Sequence, residues 1–146
     1  MKSEKINHHQ TEPPPSWARR HLLEAEAAAE VGQILRREFG LSPAAVRAEL
    51  CGSVLRVTLE NAVSPLGRAI ADAEGGKAAL TAVYALLHTA NSSRLHCAVS
   101  RICGVPVRQS RIAFEFLPAW NVFITFQLEE SLGKLSYDEF HVCDRD

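Results

Sequence analysis

No apolar run in this chain approaches the roughly 20 residues that a membrane-spanning helix needs, because charges interrupt every one. Insertion into a bilayer is therefore not expected. Residues 1–12 include Lys2 and Lys5 but no apolar segment, so no secretory signal is read there. Cysteine is sparse and scattered: Cys51, Cys97, Cys103 and Cys143 form no CxxC. A disulfide framework is not expected without export, so the expectation is reduced thiols and a cytoplasmic protein. GxSxG and GxxxxGK[ST] are both absent. A strongly basic balance is missing too, which argues against nucleic acid as a partner.

What is present suits a single folded domain. The 146 residues are 47% hydrophobic and 23% charged, enough to bury a core. The net charge of −1 conceals an asymmetry. Residues 17–128 carry 12 Lys/Arg against 9 Asp/Glu, whereas residues 129–146 carry 2 against 6. The chain divides into a polar arm over 1–16 ending in Pro13-Pro14-Pro15, a domain over 17–129, and an acidic tail over 130–146. A solvated end is the ordinary reading of such a tail; contact with a basic partner or with its own domain is the other.

Ser16 is placed to cap a helix over Trp17–Phe39, with Ala27, Ala28, Val31, Ile34, Leu35 and Phe39 at helical spacing and Gly40 behind them. The period then changes to two. Val46, Ala48 and Leu50 alternate with Arg47 and Glu49, and Leu55, Val57 and Leu59 alternate with Arg56, Thr58 and Glu60. Only Cys51-Gly52-Ser53 intervenes, so a tight antiparallel hairpin is expected. Ser64-Pro65 opens a short helix that Gly75-Gly76 closes as a C-cap. A longer one runs from Lys77 to Ile102, its inner face marked by Leu80, Val83, Tyr84, Leu87, Ala98 and Ile102, with a bend or break at Asn91-Ser92-Ser93. A second hairpin sets Ile112, Phe114 and Phe116 against Val122, Ile124, Phe126 and Leu128 across a turn at Pro118–Asn121. The fold class is α+β in two layers: a four-stranded antiparallel sheet with helices on one face, in the order α-β-β-α-α-β-β.

Candidate sites are few. His96 and Cys103 share a helix face with His88 nearby, but two ligands fall short of the three or four that zinc takes, so no metal is expected. No cofactor is expected either. Catalysis by a nucleophile needs a base beside a serine or cysteine, and Cys97 does not face its neighbour His96 on a helix. The protein is therefore read as non-enzymatic. Arg94 and Arg101, seven apart on one helix, with Arg108 and Arg111 entering the next strand, suit a small anion such as bicarbonate, phosphate or a nucleotide. Flanking arginines that cover apolar surface explain the same residues. Val54, Ala113 and Phe123 on polar strand faces, with Trp120 in a turn, suggest a docking or homodimer patch; isolated exposed apolar residues are the plainer account. Two sheet edges remain that homodimerisation could pair.

Taken in order, Val31–Gly40, the hairpin Val46–Glu60, Val63-Ser64-Pro65-Leu66 and Cys103-Gly104-Val105-Pro106-Val107 leading into the last hairpin resemble the small bacterial MpsC family. The resemblance covers about residues 31–129. It implies association with membrane systems handling cations or inorganic carbon, and assigns no catalytic residue. The function expected is thus an accessory or regulatory protein-binding module, with anion sensing as the alternative. Three positions depart from the family's pattern: Ser42 replaces a glycine, Gly67 a common glutamate, and Arg111 an aspartate after Ser110.

Overall fold

The computed structural model describes residues 16–131. Seven elements follow one another: α1 (Ser16–Phe39), β1 (Ala45–Cys51), β2 (Val54–Glu60), α2 (Pro65–Asp72), α3 (Gly76–Cys103), β3 (Val107–Glu115) and β4 (Asn121–Leu128). The expected order and the antiparallel four-stranded sheet are both present, with the strands arranged β1-β2-β4-β3. The arm and the tail lie outside the described residues, apart from Ser16, Glu130 and Ser131.

Alternation in the strands becomes three apolar rows across the sheet. Val46, Leu59, Val122 and Phe114 form one, Ala48, Val57, Ile124 and Ile112 the next, and Leu50, Leu55 and Phe126 the third, which ends at Ser110. Helices α1 and α3 cover this face side by side, with Val31 and Leu35 from α1 and Leu95 and Val99 from α3 fully enclosed. Each such side chain contributes about 1.5–3 kcal/mol by leaving water, which is why the two long helices lie on the sheet. The opposite face carries Arg47, Glu49, Arg56, Thr58, Arg111, Thr125 and Gln127, the pattern of an antiparallel sheet wet on one side.

Local signals account for most boundaries. Gly40 adopts φ +68° after α1, and Ser64 Oγ accepts from the Gly67 N–H at 3.2 Å with Pro65 in the first turn of α2. Three readings of the sequence need correction. Helix α3 runs unbroken through Asn91-Ser92-Ser93, where two of the side chains bond the helix's own carbonyls: Asn91 Nδ2 donates to Leu87 O and Ser92 Oγ to Thr89 O. Val83 is not on the inner face but half-exposed, while Leu95, Val99 and Cys103 take inner places. Gly75-Gly76 does not cap α2; Ala73 does, and the glycine pair instead starts α3.

That corner is the tightest point of the fold. Gly75 has φ +73°, and a Cβ on Gly76 would lie 1.6 Å from the carbonyl oxygen of Ile70. Backbone against backbone cannot yield as a side-chain tip can. Gly76→Ala is therefore expected to cost about 2–3 kcal/mol despite alanine's better helix propensity. Chemical denaturation should show a lower midpoint at unchanged slope.

Candidate functional site

The α3–β3 contact holds a polar cluster. His88 and His96 lie eight residues apart on α3, so both turn toward the sheet. Each places Nε2 2.7 Å from the Ser110 hydroxyl, the one polar side chain in the three inward rows. A hydroxyl donates once and accepts twice, so at most one ring accepts the Ser110 proton and at least one donates its N–H to Oγ. Burial lowers the pKa of both histidines, and for His88 the neighbouring His96 lowers it further. The ring of His96 also meets Phe126 edge-on, with centroids 6.3 Å apart. A serine poised for attack gives its proton to a base and keeps its lone pairs for substrate. Here an imidazole N–H occupies one of those pairs, and the three side chains tie helix α3 to strand β3.

The four arginines proposed for an anion are not brought together. Arg94 reaches Glu38 of α1 at 2.8 Å, and Arg101 pairs with Glu30 of the same helix. Both charges thus serve the α1–α3 seam, beside a shallow groove of about 560 Å³ that Arg37 and the exposed Cys97 also line. Arg108 sits at the irregularity where β3 shifts register between Val107 and Gln109. Arg111 lies on the open face opposite Thr125. Cys103, by contrast, is enclosed at the end of α3, where burial pushes its thiol up to about 11. Among the described residues no group of three or more His, Cys, Asp and Glu is placed to share a metal ion.

Of the proposed interface residues, Ala113 and Phe123 are direct cross-strand partners on the open face, while Val54 pairs with Gln127 further along the same face. Phe123 is half-covered by the Arg56 guanidinium, 4.3 Å from its ring centroid. Trp120 lies elsewhere. It adopts φ +56° in the β3–β4 loop, stands edge-on to Phe116 and receives the Arg68 guanidinium from α2.

A different surface is more unusual. From Ala78 to Ser93, α3 carries sixteen residues without one Asp, Glu, Lys or Arg. One side of that stretch is the core, through Leu80 and Tyr84; the other is open, with Val83 51% and Leu86 71% exposed. On α2, which packs on α3, Leu66 is 73% and Ile70 40% exposed. A helix that is apolar all round is ordinarily covered on both sides; here the open side sets Val83 and Leu86 among alanines and threonines. Periodicity alone misses this face, since Val83 reads as a core position; the missing charge over Ala78–Ser93 is the signal that finds it.

Fold and surface together define a small two-layer α+β domain with one wet sheet face and one uncharged helical face. The chain belongs to the MpsC family, whose model, described as "Na+-translocating membrane potential-generating system (MpsC)", matches residues 19–125. No curated protein and no solved structure matches it. Among the described residues no helix is long and apolar enough to cross a membrane. Gly67, read from the sequence as a departure from the family pattern, is buried; a Cβ there would lie 2.7 Å from Val63 Cγ1 and 3.8 Å from the Tyr84 hydroxyl. Close packing of α2 on its surroundings thus goes with glycine at this position.

The histidine pair carries a pH signature. With folded pKa values below the unfolded value of about 6.5, the folded state is fully favoured above that pH. Below it the unfolded chain takes protons first, so stability falls as the pH drops. Denaturant midpoints measured between pH 7.5 and 5.5 should decline, and the decline should flatten in the His88→Gln, His96→Gln double variant.

Proposed function

We propose that this protein is a non-catalytic accessory module of a membrane cation system, working from the cytoplasm and docking onto a protein partner through the uncharged face of α3 and the adjoining α2. The observation that carries the reading is the exposure of Val83 and Leu86 within sixteen consecutive uncharged residues. Contiguous exposed apolar surface on a soluble domain marks a place where another surface sits. The chemistry it asks for is apolar and well packed, since alanines at 78, 79, 82, 85 and 90 leave an almost smooth helix on which a second helix can approach closely. Membership of a family named for a membrane potential-generating system supports a partner within such an assembly.

Anion sensing is less well supported. An anion at Arg94 and Arg101 would have to displace Glu38 and Glu30, which already neutralise them.

Leu86→Glu and Val83→Glu separate docking from folding. Both positions face water, so each change should move stability by no more than about 0.5 kcal/mol. Burying a carboxylate in an apolar contact should reduce co-sedimentation with membranes of the source cells at least tenfold. Folded variants that co-sediment like the unaltered protein would overturn the reading.

A further inference from the structure

Strand β3 forms one rim of the sheet, and two hydrogen bonds at its start fix which backbone groups it turns outward. The Leu128 N–H bonds Ser53 O at the β1–β2 turn, whereas the Glu129 N–H bonds Pro106 O just ahead of β3. Residues of β4 therefore alternate, the even-numbered ones bonding toward β2 and the odd-numbered ones toward β3. By register, Gln109, Arg111, Ala113 and Glu115 bond across to β4, and Ser110, Ile112 and Phe114 turn their N–H and C=O groups to the rim. Among the described residues none of these rim-facing groups has a partner. The opposite rim differs, since Glu24 of α1 already takes the Leu50 N–H of β1. Ile112 and Phe114 are also only half-buried, although Ile124 and Val122, their partners on β4, are wholly enclosed.

We infer that β3 pairs with β3 of a second copy of this chain, antiparallel and centred on Ala113, joining the two four-stranded sheets into one of eight strands. An open rim is a template for another strand, and charge selects the occupant and the register. Arg111 and Glu115 are both exposed on the wet face. With Ala113 opposite Ala113, Arg111 of each copy lies across from Glu115 of the other, and Ile112 lies across from Phe114 on the inner face. Centred on Arg111, arginine would meet arginine and Ile112 would meet Ser110. Centred on Ile112, Arg111 would meet Ala113 and Glu115 would meet Gln109, so no charge would be matched. Opposite charges directly across are stabilising and like ones destabilising. Arg111 has no acidic partner among the described residues. Glu115 Oε1 accepts from Asn121 Nδ2 at 3.0 Å, which steadies the carboxylate on the face where the second copy's Arg111 arrives.

Helix α3 permits the approach. Its flank away from Arg94 and Arg101, and so away from α1, carries Ala78, Ala82, Ala85 and Thr89 on the side of the β3 rim. Tyr84 lies on Phe114 with centroids 5.1 Å apart, which brings Ala85 close to the axis. Strand pairing sets two such flanks side by side, and their small side chains let the helices pack closely. Leu86 lies about a quarter turn further round, away from the sheet, so it stays exposed in the pair.

The test is sedimentation equilibrium on the purified full chain and three variants. Unaltered protein should be a dimer. Arg111→Glu and Glu115→Arg should each weaken it at least tenfold, since each places two like-charged pairs across the axis. Combining both changes restores opposite charges in the same register, and the double variant should regain dimerisation to within about threefold. Circular dichroism of each variant checks that the fold persists. Ala113→Cys tests the register separately: it sets two thiols across the axis with Cα atoms about 4.5 Å apart, within disulfide reach. Mild oxidation should link that variant into a covalent dimer at least tenfold faster than the unaltered chain, whose own exposed thiol is Cys97. A monomeric unaltered protein, single charge variants that dimerise normally, a double variant that fails to recover, or no faster crosslinking at 113 would each overturn the proposal. So would a dimer dissociated by Leu86→Glu but indifferent to residue 111.

Discussion

Three rows of inward side chains, from Val46–Leu59–Val122–Phe114 to Leu50–Leu55–Phe126, must be kept from water, and the rest of the molecule is arranged around that need. Two long helices laid side by side cover the rows. The apolar stripe of α1 is narrow, with charges elsewhere on its surface that reach across to α3 through Glu30–Arg101 and Glu38–Arg94. Helix α3 runs along β3, with Tyr84 against Phe114 and His88 and His96 at Ser110, and it also packs on α2. The third row ends in a serine rather than an apolar residue, so covering that corner takes hydrogen bonds, and His88 and His96 supply them. Their neutral form belongs to the packed state, which ties the helix–strand seam to pH.

Most of the architecture was legible because the inward positions alternate cleanly. In β2 and β4 every second residue is apolar and nearly every other one polar, so strand, face and partner follow from period alone. Ser64, Pro65 and Gly40 marked helix ends through chemistry that acts within a few residues. Legibility failed where a signal had two meanings. Val83 is apolar and at helical spacing, yet α3 has apolar residues all round, so spacing cannot say which side is covered. Asn91-Ser92-Ser93 is polar enough to suggest a break, but two of its side chains found acceptors inside the helix.

The candidate sites were harder still, because each depends on how distant segments meet. Ser110 is fourteen residues from His96 and twenty-two from His88, and nothing in local spacing announces that all three converge. Arginines 94 and 101 share a helix face as spacing implies, but whether that face holds free cations or ion pairs was decided by glutamates on another helix. Trp120, expected to join the open-face residues, is instead drawn to Phe116 and Arg68 by a positive φ in its loop.

These features give the domain a division of labour: one sheet face and its helices make the fold, while the uncharged side of α3 is left over from it. Central to the account is that this side is covered when the protein is at work. A photo-crosslinking amino acid placed at Val83, compared in intact cells with one at the exposed Gln33 on α1, tests that directly. The account predicts a discrete heavier band from position 83 that follows the membrane fraction, and none from position 33. Equal labelling at both positions, or crosslinks to solvent alone at 83, would contradict it.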